Sequence, residues 1–170
     1  MTVSAKDQLA QMARYHAWAT ERLLTSIAPM PDEAYGRPCG LFFGSVHGTL
    51  NHLLLTDSEI WFSRFTGTRP VSLPLDAELE SDRTALASRL IAAAGRWSGY
   101  VAGLDEPALA GDLRYTMTTG QARTLPMSGA LLHVFNHGAH HRGQITAAMS
   151  MLGFEYPPLD LPYLIFSELG

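Results

Sequence analysis

Four separate stretches of this chain carry apolar residues at helical spacing, and that repeated pattern restricts the fold more than any other feature of the sequence. In the first, residues 4 to 28, Leu9, Met12, Ala13, His16, Thr20, Leu23, Leu24 and Ile27 share one face. Ser4 is placed as an N-cap, and Pro29 and Pro31 follow as stop signals. The second, residues 44 to 66, is apolar over most of its circumference: Phe42, Val46, Leu50, Leu53, Leu54, Ile60, Trp61 and Phe65 form one arc, with Leu55 and Phe62 across from it. The third is expected to start at an Asp76 cap and reach Ala102, burying Leu79, Leu86, Leu90, Ala93, Trp97 and Val101. The fourth, capped by Ser128 and ending near Gly153, aligns Ala130, Val134, Ile145, Ala148 and Leu152. Each stripe needs an apolar partner, and a four-helix bundle buries all four at once.

Between the third and fourth stretches the helical pattern breaks. Leu113 to Met117 and Ala122 to Pro126 are β-prone runs around Thr118-Thr119-Gly120-Gln121, which predicts a small hairpin. Tyr163 to Leu169 make one further short helix, and the loop after the second stretch carries the turn residues Gly67, Pro70 and Pro74. The expectation is an all-α, up-down four-helix bundle with a small β-hairpin insertion before the last long helix. At 170 residues, without repeats or a linker, the chain reads as a single domain over 1–170.

Composition excludes several classes of function. A net charge of −4 and no basic run speak against nucleic-acid binding, which needs Lys and Arg to meet phosphates. The single cysteine, Cys39, has no internal disulfide partner, which points to a reducing compartment; with no CxxC spacing and no neighbouring His, it reads as inert. The segment Met1 to Asp7 lacks the layout of a secretion signal, and no uncharged run approaches the ~18 residues of a membrane span. A cytoplasmic protein without a membrane partner is expected.

The chemistry is concentrated in histidine. Four of the seven histidines, His133, His137, His140 and His141, fall in the fourth helical stretch. His137 and His141, four residues apart, stand on one face about a turn from each other, the spacing two ligands of one metal need. His141 lies inside the apolar stripe and His137 at its edge beside Gln144, whereas His133 and His140 turn away. On the second stretch, Ser45, Thr49, His52, Thr56 and Ser63 form a narrow polar strip. It is either a solvent face or the lining of a buried cavity, in which case His52 is a third nitrogen for the pair. Periodicity leaves this open. His47 points elsewhere, and Asp57 and Glu59 stand near enough in sequence to orient a ligand or act as a base. His16 is directed inward on the first helix. Trp18 faces away from its stripe, towards a subunit contact or under a loop.

Three motifs give the chain a family resemblance: Tyr15-His16-Ala17-Trp18-Ala19, Gly48-Thr49-Leu50-Asn51-His52-Leu53-Leu54-Leu55-Thr56-Asp57, and Asn136-His137-Gly138-Ala139-His140-His141-Arg142-Gly143-Gln144-Ile145. Their order and intervals cover essentially the whole chain, and it resembles the DinB superfamily of metal-binding four-helix bundles. The ending His140-His141-Arg142-Gly143-Gln144 is the specific part; one departure is Thr20, where many relatives place Asn.

What the resemblance implies is a metal triad on His52, His137 and His141, holding one divalent ion, zinc or nickel. It also implies thiol-dependent transferases among relatives, using bacillithiol, mycothiol or glutathione. The leading expectation is therefore a thiol S-transferase or isomerase acting on a small electrophile, with Asp57, His16 and Gln144 as candidates for orientation or proton transfer. Arg142 is expected to anchor its helix to neighbours. A metal-dependent hydrolase, which would need Asp57 or Glu59 facing the ion, and a non-catalytic metal-binding stress protein are the alternatives. The partners expected are a small-molecule substrate and a second copy in a homodimer.

Overall fold

The computed structural model describes residues 4–68, 72–117 and 119–169. Pro70 and Thr118, expected in a loop and a turn, lie outside the described residues, as do Met1, Thr2 and Val3 of the leading segment. Helix α1 (Ala5–Ile27) opens on a capping box, in which the Ser4 hydroxyl accepts from the Asp7 N–H and the Asp7 side chain accepts from the Ser4 N–H. A short α2 (Asp32–Gly36) lies between the Pro29 and Pro31 stop signals and the second rod.

The second rod is three pieces end to end. Helix α3 (Val46–Leu54) passes into a π-helical segment (Leu55–Phe62) and then α4 (Ser63–Thr66), which stops at Gly67 in the left-handed conformation, φ 68°. Ser45 caps α3 by accepting from the Gly48 N–H, so Phe42 lies before the helix and is 83 % exposed instead of joining the apolar arc. The i→i+5 bonding of a π segment changes the angular step, so a wheel drawn at helical spacing ceases to hold beyond Leu55. Thr49, His52, Thr56 and Ser63 are all buried, and the polar strip is not a solvent face.

Helix α5 (Arg83–Ala102) starts at Asp82, which accepts from the Ala85 N–H, and not at Asp76. The intervening chain is held out of helix by Asn51, whose Oδ1 accepts from the N–H groups of Leu79 and Glu80. After the turn of α6 (Glu106–Ala110), strands β1 (Asp112–Thr116) and β2 (Ala122–Pro126) pair antiparallel with Leu113 opposite Leu125 and Tyr115 opposite Arg123. Helix α7 (Met127–Met151) follows β2 directly; Pro126 precedes its first residue, and the expected cap Ser128 falls inside it. Gly153, φ 82°, ends the turn after α7, and α8 (Leu161–Leu169) lies against α1 through Leu164, Tyr15 and Ala19. Trp18 is half-buried beside this contact, and Cys39 is half-buried at the margin of the core.

Two apolar clusters fill the bundle. One joins Leu23 and Ile27 of α1, Val46 and Leu50 of α3, Leu86 and Leu90 of α5, and Ile145 and Met149 of α7. The other joins Leu9 and Ala13, Ile60 and Phe65, Trp97 and Val101, and Ala130 and Val134 from the same four rods. Residue order through the clusters fixes direction: α1 and α7 run one way, the second rod and α5 the other. The expected four-helix bundle and its hairpin are present, but the order is up-down-down-up instead of alternating. The reason is the connection between α4 and α5, whose described residues 72–82 lie along the bundle, with Leu75 at His52 and Leu79 touching both clusters. Helix α1 packs on α5 and α7, as does α3, which places the first two rods across the diagonal. No helix among the described residues is long and apolar enough to cross a membrane.

Candidate metal centre

Between the two apolar clusters lies a polar layer, and three histidines converge on one side of it. His52 comes from α3, and His137 and His141 from α7. His52 Nε2 lies 3.3 Å from His137 Nε2, which lies 3.1 Å from His141 Nε2, and the three ligand atoms fall within 4.8 Å of one another. Neighbouring nitrogens on a tetrahedral ion with bonds of about 2.0–2.1 Å are about 3.3 Å apart, so these separations suit donors to a common ion.

The far nitrogens set the chemistry of the near ones. The His52 Nδ1–H donates to the Leu75 carbonyl at 2.8 Å, and the His141 Nδ1–H donates to Gln144 Oε1 at 2.8 Å. Both Nε2 atoms are thereby left as bare lone pairs aimed at His137 Nε2. A single N–H on His137 can satisfy only one of them, whereas a cation satisfies all three. Burial, with the neighbouring His141 and His52, pushes the His137 pKa down to about 3. Burial likewise takes His141 down to about 4, against the opposing Gln144 bond, and lowers His52. All three rings are neutral, the state that ligates.

Backbone devices hold this arrangement. Asn51 takes the amides of Leu79 and Glu80 and donates to the Glu80 carbonyl, which anchors the crossover that supplies Leu75. Phe43 stacks on the His52 ring, centroids 3.7 Å apart and planes 15° off parallel. Its turn can approach because residue 48 is glycine: a Cβ there would stand 2.1 Å from the Phe43 carbonyl oxygen.

The other candidates assemble into a second, buried group. The His16 Nε2–H donates to Asp57 Oδ2 at 3.1 Å, and the Trp97 Nε1–H donates to Asp57 Oδ1 at 2.8 Å. Arg142 Nη1 donates to His16 Nδ1 at 3.2 Å and to Thr20 Oγ1 at 3.3 Å, so Nδ1 accepts and the Nε2–H faces Asp57. Burial alone raises the Asp57 pKa, but His16, Trp97 and Arg142 outweigh it and hold the carboxyl below its usual range. Arg142 ties α7 to α1, as expected, and Thr20 gives the departure from the family pattern a partner. Asp57 and Glu59 make no hydrogen bond to the three histidines; Glu59 accepts from the Ser58 hydroxyl. His47 pairs with Glu78, and exposed His140 accepts from Gln144.

Sequence reading missed Asn51, Phe43, Trp97 and Gly138. Asn51 and Gly138 carried a signal, one a polar residue on a greasy helix, the other a glycine inside one. A Cβ at Gly138 would stand 2.5 Å from His16 Cε1, so the glycine is what lets α1 reach the layer. Phe43 had no local signal, and spacing buried Trp97 without revealing its bond to Asp57.

Comparison with known proteins agrees with this picture. The sequence profile of the DinB family matches residues 1–168. Protein DinB of Bacillus subtilis (strain 168) is 25% identical over 166 residues, 94% of this chain and 95% of that protein. Among solved structures, YfiT from Bacillus subtilis is described as a probable metal-dependent hydrolase with an unusual four-helix bundle topology. It superposes with TM-score 0.67 at 20% identity, over 88% of this chain and 89% of its own. A DinB-like protein from Bacillus cereus ATCC 10987 gives TM-score 0.65 at 19% identity, over 88% and 94%.

Proposed function

This chain belongs to the DinB family, and from that premise we propose that it is a metal-dependent enzyme whose ion is held by His52, His137 and His141. The observation that carries the reading is the pair of bare Nε2 lone pairs, on His52 and His141, aimed at one point beside His137. Zinc or nickel suits three nitrogen donors and keeps a coordination position for a reactant. Such an ion, when bound, supplies Lewis acidity that lowers the pKa of a thiol or water reaching it. The chain's own groups do the rest: Leu75 and Gln144 fix the ligand tautomers, and Phe43 covers one face of His52.

Thiol transfer to a small electrophile, with a bacillithiol-, mycothiol- or glutathione-type co-substrate, is the reading we favour. Asp57 has both oxygens committed to His16 and Trp97, and Glu59 turns to Ser58, so neither is free to serve as a general base. A hydrolase wants such a base, whereas an ionised thiol is already the nucleophile. In this reading Gln144 orients His141, while His16 and Asp57 position α7 from behind. Hydrolysis is the second reading, because YfiT is described as a probable metal-dependent hydrolase.

The test is turnover by protein reloaded with zinc or nickel. Loss of monobromobimane above the chemical rate only when a thiol is added, abolished in His141→Ala, is the expected result. Metal-dependent cleavage of an ester or amide without thiol would replace it with hydrolysis. Stoichiometric metal binding with no activity on either panel would leave a non-catalytic stress protein.

A further inference from the structure

We propose that Arg64, with His133, forms a recognition subsite for an anionic group, carboxylate or phosphate, on the molecule that reaches the histidine centre. The inference rests on that centre being the reaction site. It begins with a cation whose partners are aromatic rather than acidic. The Arg64 guanidinium lies 4.5 Å from the centroid of Trp61 and 4.5 Å from that of Tyr115, held between a ring from the second rod and one from the hairpin. Like Arg22 over Trp18 and Arg96 over Phe62, Arg64 stacks on rings with no carboxylate partner among the described residues, but it lies between two rings where they lie over one. Unlike theirs, its Nε is buried and without an acceptor among the described residues.

The same rings lead to the centre. Trp61 packs on His133 at 4.6 Å between centroids, and the His133 ring lies 5.6 Å from that of His137. Arg123 stands directly opposite Tyr115 in the hairpin, and directly opposed residues share a face. Positive charge is thus gathered on one side of the site in a chain of net charge −4. A guanidinium already oriented by stacking loses little freedom when its planar fork takes two oxygens of an anion.

The test follows the Trp61 indole and the His133 ring by nuclear magnetic resonance in the full chain, titrated with hexanoate, hexanol and inorganic phosphate. Each titration is run with chelator present and again after cobalt is added. Hexanoate is expected to shift both signals saturably and hexanol to leave them. Arg64→Gln should weaken hexanoate by about tenfold or more, the size of a lost hydrogen bond to a charged group, and Arg64→Lys by less. Displacement of hexanoate by phosphate assigns the subsite to anions in general, and its absence to carboxylates; either supports it. Equal shifts from hexanol, or an Arg64→Gln affinity equal to wild type, would overturn it. Cobalt absorption bands report the metal centre separately: hexanoate binding without them removes the centre and keeps the anion subsite, and bands without hexanoate binding do the reverse.

Discussion

Two of the three ligand histidines are set by a partner on the far nitrogen, His52 by Leu75 and His141 by Gln144, and burial decides how the centre responds to acid. His137 and His141 have pKa values pushed down to about 3 and about 4 from an ordinary 6.5. The folded chain therefore keeps them neutral where the unfolded chain takes up protons. Stability from these two sites is present above pH 6.5 and is lost progressively as pH falls from there through about 4 and about 3. In chelator, the thermal midpoint should decline across that window, and a calorimetric series from pH 7 to 4 checks it. A midpoint flat over the window would mean the rings are not held as described. Gln144 and Leu75 are the acceptors that make the neutral tautomers the useful ones, with Nε2 bare.

The elements are spaced by their glycines as much as by their side chains. Helix α7 passes α1 at Gly138, where an added methyl would stand 2.5 Å from His16 Cε1 and 2.7 Å from its Nδ1. Gly138→Ala should raise intrinsic helix propensity yet destabilise the protein by about 1–3 kcal/mol, because α1 or His16 must give way. At about 2–4 °C per kcal/mol for a chain this size, a melting curve followed by circular dichroism resolves the loss. A variant as stable as the wild type would show that the contact has slack. The π segment acts at the same scale: within its eight residues, Leu55–Phe62, Asp57 reaches His16 and Trp97 while Ile60 joins the apolar cluster of Trp97 and Val101.

In the whole molecule, a polar layer separates two apolar clusters, and Arg142 and Asp57 are its opposite charges, bridged by His16. Removing one partner of a buried charged network leaves the other uncompensated, at a cost of about 3–5 kcal/mol. Asp57→Asn should lose stability on that order in urea unfolding, and a loss under 1 kcal/mol would mean that the layer is open to solvent. Much of this molecule was legible in the chain itself. Apolar residues at helical spacing report burial locally, so four rods, a hairpin and an inward His137/His141 pair follow from periodicity. The family motifs add His52. Helix starts were less legible: Asp76 and Ser128 look like caps, but Asp82 caps α5, with Asn51 holding the residues before it, and α7 begins directly after Pro126. Only the tertiary structure decided that 72–82 lies along the bundle, that Asp57 faces His16 rather than the three histidines, and that Leu75 and Phe43 complete the centre. These depend on contacts between residues far apart in sequence, and a pattern read along the chain carries the period of each helix but not its rotation against a neighbour.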